Sequence, residues 1–105
     1  MKKERELLWL SRKYLDRSLY KKLKSIYKTA EFSAAAVSAL FHYLDIEMYK
    51  AREKIRSLKE QGKDVFSREA ILLKIPSKIH FFRVEQTKEE FNKAFHLIEL
   101  VKRGG

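Results

Sequence analysis

The chain has 105 residues, 45% of them apolar, which suits one domain with a single core, and 24 Lys and Arg against 14 Asp and Glu leave a net charge of +10. Such an excess favours a polyanion, either nucleic acid or an anionic membrane surface. The lack of Cys excludes a disulfide framework, a Cys-based zinc site and thiol redox sensing.

The longest uncharged run, Phe32 to Leu44, has 13 residues, short of the roughly 20 that a spanning helix needs. The basic start leads into only a short apolar run, Leu7 to Leu10, so it does not read as a signal peptide. A soluble, cytoplasmic protein without a membrane partner is therefore expected. High charge with three Asn and Gln leans towards a thermophilic source.

Charge is segregated along the chain. Residues 1–28 hold ten Lys and Arg against Glu4, Glu6 and Asp16, residues 48–63 hold six against Glu53 and Glu60, and Thr29 to Glu47 holds none. From the N-terminus, Leu7, Leu8, Leu10, Tyr14 and Leu15 follow helical spacing and predict an amphipathic helix over about 4–16. Ser18 is a suitable cap for a second helix, in which Leu19, Leu23, Ile26 and Tyr27 share a stripe and Lys21, Lys22, Lys24 and Lys28 cover the rest. The small, apolar "SAAAVSALFHYL" from Ser33 predicts a short, tightly packed helix continued by Leu40 and Leu44. Asp45 interrupts it, Ala51, Ile55 and Leu58 set a new stripe, and Gly62 supplies a helix stop.

Beyond Gly62, "REAILLKI" and "KIHFFRVE" are rich in large apolar residues and flank Pro76-Ser77, which predicts a two-stranded hairpin over about 67–86. A helix within "REAILLK", capped by Ser67, is the alternative. The segment from Thr87 predicts a helix over about 88–102, with Thr87 as cap, acidic residues in its first turn and Lys102 and Arg103 in its last. Phe91, Ala94, Phe95, Ile98 and Val101 form its inward face, and Gly104-Gly105 closes it.

Leu40, Leu44, Ile46, Ala51, Ile55, Leu58 and Gly62 resemble, in their spacing, the helix-turn-helix unit of winged helix-turn-helix transcription regulators of the MarR-like and ArsR-like kind. The resemblance implies a mainly α domain with a small β-hairpin wing and extra terminal helices. It also implies a helix-turn-helix over about 33–61, with Ile46 plugging the turn. Asp45 stands where the family usually has glycine, and Glu47, Met48 and Tyr49 stand where it prefers small hydroxylated residues.

With Ile55 inward, about 100° per residue puts Lys50, Glu53 and Ser57 outward, flanked by Tyr49, Lys54 and Arg56. The resemblance points to Tyr49, Lys50, Arg52 and Glu53 for base contacts, and to Lys54 and Arg56 for phosphates. Lys74, Lys78 and Arg83 would sit on the wing, beside the backbone or minor groove. The apolar surface of the terminal helices, Leu7, Leu8 and Trp9 with Phe91, Phe95 and Ile98, exceeds what a three-helix core covers and suggests a two-fold homodimer.

Neither a phosphate-cradling loop, nor a nucleophile elbow, nor an acid/base pair stands out, and His42, His80 and His96 lack metal-ligand spacing. The expected function is sequence-specific binding of double-stranded DNA by a non-enzymatic, cofactor-free transcription regulator. A non-catalytic helical protein-interaction module, docking on an acidic partner through its basic N-terminal helices, is the alternative.

Overall fold

In the computed structural model, which describes residues 2–103, six helices follow one another: α1 (Lys2–Tyr14), α2 (Arg17–Ser25), α3 (Phe32–Glu60), α4 (Phe66–Leu72), α5 (Ile75–Glu85) and α6 (Lys88–Arg103). Among the described residues there is no strand. The winged helix with a β-hairpin is therefore overturned, and both of its defining parts take another form.

The first is the helix-turn-helix, replaced by one helix of 29 residues. Its buried side chains run Phe32, Ala36, Val37, Leu40, Leu44, Glu47, Met48, Ala51, Ile55 and Leu58, an unbroken stripe recurring every three or four residues and widened by the adjacent pairs Ala36-Val37 and Glu47-Met48. The break expected where Asp45 interrupts the apolar run, with Ile46 plugging a turn, does not form. Glu47 is only 6% exposed and belongs to the stripe, whereas Ile46 is 43% exposed and lies off it. No Gly or Pro interrupts Phe32 to Glu60, and Asp45 is helical rather than left-handed.

Where the helix does stop, Gly62 stops it. Its φ of 75° lets the Lys63 N–H donate to the Leu58 carbonyl at 2.9 Å and its own N–H to the Lys59 carbonyl at 2.9 Å, the paired closure of a Schellman motif.

The second is the wing, whose segment forms α4 and α5. Pro76 lies in the first turn of α5 rather than in a hairpin tip, where its missing N–H would have no intrahelical partner anyway. Ile75, Ile79 and Phe82 are buried at intervals of four and three, so these apolar residues carry helical rather than alternating periodicity. Arg68 reaches from α4 to donate to the Val101 carbonyl of α6.

The remaining helices begin and end as local chemistry dictates. Asp16, not Ser18, caps α2, accepting from the Leu19 N–H at 2.8 Å. The Oγ1 of Thr87 accepts from the Glu90 N–H at 3.2 Å at the start of α6. The expected stop at Gly104-Gly105 lies outside the described residues.

The helices α3 and α6 pack together along the middle of the molecule. On them sit α1, with α2 leaning on both α1 and α3, and separately α4 and α5. Neither α4 nor α5 touches α1 or α2. Leu7 and Leu10 of α1, Leu40 and Leu44 of α3, Ile75 and Phe82 of α5, and Phe91 and Ile98 of α6 are fully buried. Tyr14, Tyr43, Phe91 and Phe95 add an aromatic cluster, with the Tyr14 ring 4.8 Å from that of Phe91 and 4.9 Å from that of Phe95. The long, thin result measures 51 × 25 × 17 Å, so most of its charge stays at the surface.

Candidate nucleic-acid interface

The outward face expected for the second half of α3 is present. Ala51, Ile55 and Leu58 are buried, and Tyr49, Lys50, Arg52, Lys54 and Arg56 are exposed, with Glu53 half-buried. Its charges, however, are largely matched within the chain. Lys50 Nζ lies 2.8 Å from Glu47 Oε2, and the Arg56 guanidinium is 3.8 Å from Glu53 and 3.6 Å from Glu60. Among the described residues, Arg52 and Lys54 are the members of this set without an ion pair to a carboxylate on the same face.

The three cations assigned to a wing lie instead at the start of α5 and along it. Lys74 precedes the helix, Lys78 Nζ lies 5.9 Å from the centre of the Phe81 ring, and the Arg83 guanidinium stacks 4.7 Å from the centre of Phe41.

Of the side chains assigned to a dimer interface, Leu7, Phe91 and Ile98 are fully buried inside the single chain, and Leu8 and Phe95 pack partly buried against them. A three-helix core would leave this apolar surface uncovered, but six helices share it. Trp9 remains partly exposed, beneath Lys88 Nζ at 3.9 Å and Lys13 Nζ at 4.9 Å from its ring centre.

A different basic surface is built at the elbow between α1 and α2. Leu7, Leu10 and Ser11 turn one face of α1 inward, the Ser11 hydroxyl donating to the Leu7 carbonyl at 2.8 Å. Leu23 anchors α2, so Lys21, Lys22 and Lys24 are left on its outside. Because Asp16 caps α2 directly after α1 ends, the two outer faces meet. There Arg12, Leu15, Arg17, Tyr20, Lys21 and Lys24 line an open groove of about 560 Å³.

Four cations thus surround one concavity, and among the described residues no ion pair involves a side chain of residues 2–28. Two of the three acids in this stretch are engaged with backbone N–H groups: Asp16 with Leu19, and Glu6 with Lys88 at 2.7 Å. By contrast, α3, α4 and α6 carry numerous pairs, such as Lys59–Glu69 at 2.7 Å and Lys93–Glu90 at 3.1 Å. With ten Lys and Arg against three acids, residues 1–28 hold most of the chain's positive excess. Guanidinium forks and flexible ammonium groups around a groove, with a tyrosine hydroxyl beside them, suit phosphate oxygens.

The basic block was visible in the sequence. Arg12, Arg17, Lys21 and Lys24 converge only because of the bend at Asp16, which no spacing rule predicts.

The other charged centre is internal. Lys102 Nζ of α6 donates to Glu47 Oε1 at 2.8 Å while Lys50 approaches Oε2. Burial pushes the Glu47 carboxyl up, but the hydrogen bonds and charges of the two lysines outweigh it and hold the group below its ordinary value. The neighbouring Tyr43 hydroxyl is pushed up to about 12, by burial first and then by Glu47. This cluster ties α3 to α6 and belongs to the core rather than to a site. His42, His80 and His96 stand exposed on three different helices, and among the described residues no three side chains are grouped to hold a metal ion. No helix there is long and apolar enough to cross a membrane.

Compared with known proteins, the chain matches no protein-family model, no curated protein and no solved structure.

Proposed function

We propose that this chain is a non-catalytic binder of double-stranded DNA that holds the phosphate backbone in the α1–α2 elbow. The observation that carries this reading is the set Arg12, Arg17, Lys21 and Lys24 around one groove, without ion-pair partners among the described residues, in a chain of net charge +10. Unpaired cations release the counterions condensed on DNA and gain affinity by doing so, whereas lysines and arginines already matched to carboxylates gain little. The same logic makes Arg52 and Lys54 of α3 secondary contacts and leaves Lys50 and Arg56 minor ones.

Affinity in this reading rests on phosphates, and phosphate contacts position a protein without reading bases. Little discrimination between duplex sequences is therefore expected.

Fluorescence anisotropy of a labelled random-sequence duplex across a salt series tests it. The logarithm of affinity should fall linearly with the logarithm of salt concentration. Replacing Arg12, Arg17, Lys21 and Lys24 together by Gln should flatten that slope by about 3 to 4, close to 0.9 for each lost contact. Replacing Lys50 and Arg56 by Gln should change it by less than about 1. An unchanged slope in the fourfold variant would remove the elbow from the interface. Equal binding of an acidic polypeptide such as polyglutamate, with no preference for the duplex, would favour an acidic protein partner instead.

A further inference from the structure

A second surface, distinct from the elbow and independent of the DNA reading, lies on α4 and α5. The helix α4 is apolar on opposite sides. Ile71 and Leu72 pack partly buried against the core, while Phe66 and Leu73 stand 77% and 83% exposed. At about 100° per residue, Phe66, Ala70 and Leu73 fall on one outward stripe. On the next helix Phe81 and Val84 are also exposed. A surface helix ordinarily turns polar side chains outward, and the largest apolar residues stand outward singly rather than in series.

The charge beyond this stripe is mostly positive. From Ala70 to Val84 the chain contains no Asp or Glu, and Lys74, Lys78 and Arg83 lie within that span, with Lys63 just ahead of α4. Of the nearest acids, Asp64 accepts from the Phe66 N–H at 3.0 Å and Glu69 is paired with Lys59.

These features discriminate between occupants. A second copy would bring a face with the same excess of lysines against this one. A protein partner would need a cavity shaped for side chains that protrude this far. A lipid bilayer needs none, because acyl chains close around whatever enters, and anionic headgroups meet the lysines.

We propose that the outward face of α4 docks on an anionic lipid surface, with Phe66 and Leu73 entering the acyl boundary and Lys63, Lys74 and Lys78 meeting headgroup phosphates. Placed on α4 and α5, which touch neither α1 nor α2, this face can engage a membrane while the elbow stays open.

The test is sedimentation of the full chain with vesicles of phosphatidylcholine, with and without phosphatidylglycerol. Binding is expected with the anionic lipid and about tenfold or more weaker without it. Phe66→Ser with Leu73→Ser should reduce it by about tenfold for each side chain, with circular dichroism and duplex binding unchanged. In a Trp9→Phe background, the emission of a Leu73→Trp variant should shift to the blue on anionic vesicles.

No partitioning onto those vesicles would overturn the proposal. So would partitioning that ignores Phe66→Ser and Leu73→Ser but disappears with the elbow cations, since that would be adsorption through α1 and α2. A dimer in light scattering that the same two substitutions dissociate would assign the face to a second copy and overturn it equally.

Discussion

Replacing Glu47 by Gln tests the internal charge cluster that fastens α3 to α6. The substitution keeps the shape and one acceptor oxygen, but turns an amide NH2 towards one of two ammonium groups. A charge-assisted hydrogen bond contributes about 1.5 to 3 kcal/mol. The bond to Lys102, whose side chain is 28% exposed, carries most of that, while Lys50, at 58%, is screened by solvent.

After the remaining neutral bond is allowed for, a loss of about 2 kcal/mol is expected, or a fall in Tm on the order of 10 °C for a domain of this size. Glu47→Met completes the apolar stripe, and both lysines can turn to solvent, so it should stay within about 1 kcal/mol of the parent.

The sign of the pH dependence follows from the direction of the shift. The Glu47 carboxyl ionises below its ordinary value of 4.5 in the folded chain. Its contribution is therefore complete above the unfolded value and declines as pH falls below it, through the folded value. Urea unfolding followed by circular dichroism should show the full gap between parent and Glu47→Gln at neutral pH and a shrinking gap well below pH 4.5. Spectrophotometric titration should at the same time show the Tyr43 hydroxyl ionising below its parent value of about 12. Equal stability at neutral pH, or a gap indifferent to acid, would refute the role given to this cluster.

Two further substitutions probe the continuous helix and the elbow. At exposed Asp45, Ala should be more stable than Gly by about 1 kcal/mol if the position is helical. A left-handed turn there would reverse the order, and thermal melts of the pair decide it. Asp16→Asn keeps an N-cap oxygen for Leu19 while removing a negative charge beside the groove. Its duplex affinity should rise about twofold at low salt and converge on the parent as screening grows, as anisotropy titrations would register; a lower affinity at low salt would argue against phosphate binding at this bend.

Much of the architecture was written locally. The first and last helices, the Thr87 cap, the Gly62 stop and the inward direction of Ala51, Ile55 and Leu58 each depend on side chains within one or two turns, so periodicity and capping chemistry were enough. The excess of positive charge in the first 28 residues was equally plain, because net charge does not depend on the fold.

Tertiary structure decided the rest. Glu47 joins the buried stripe of α3 with its carboxylate met by Lys102, 55 residues away, as well as by nearby Lys50; the distant partner cannot be read from local spacing. Ile75, Ile79 and Phe82 became a helical face because α3 and α6 offered them an apolar bed, and short apolar runs take the periodicity of what they pack against. The elbow groove and the uncovered side of α4 have the same origin. Sequence supplied the cations and the large apolar side chains, and packing determined which of them meet a partner inside the chain and which are left facing outward.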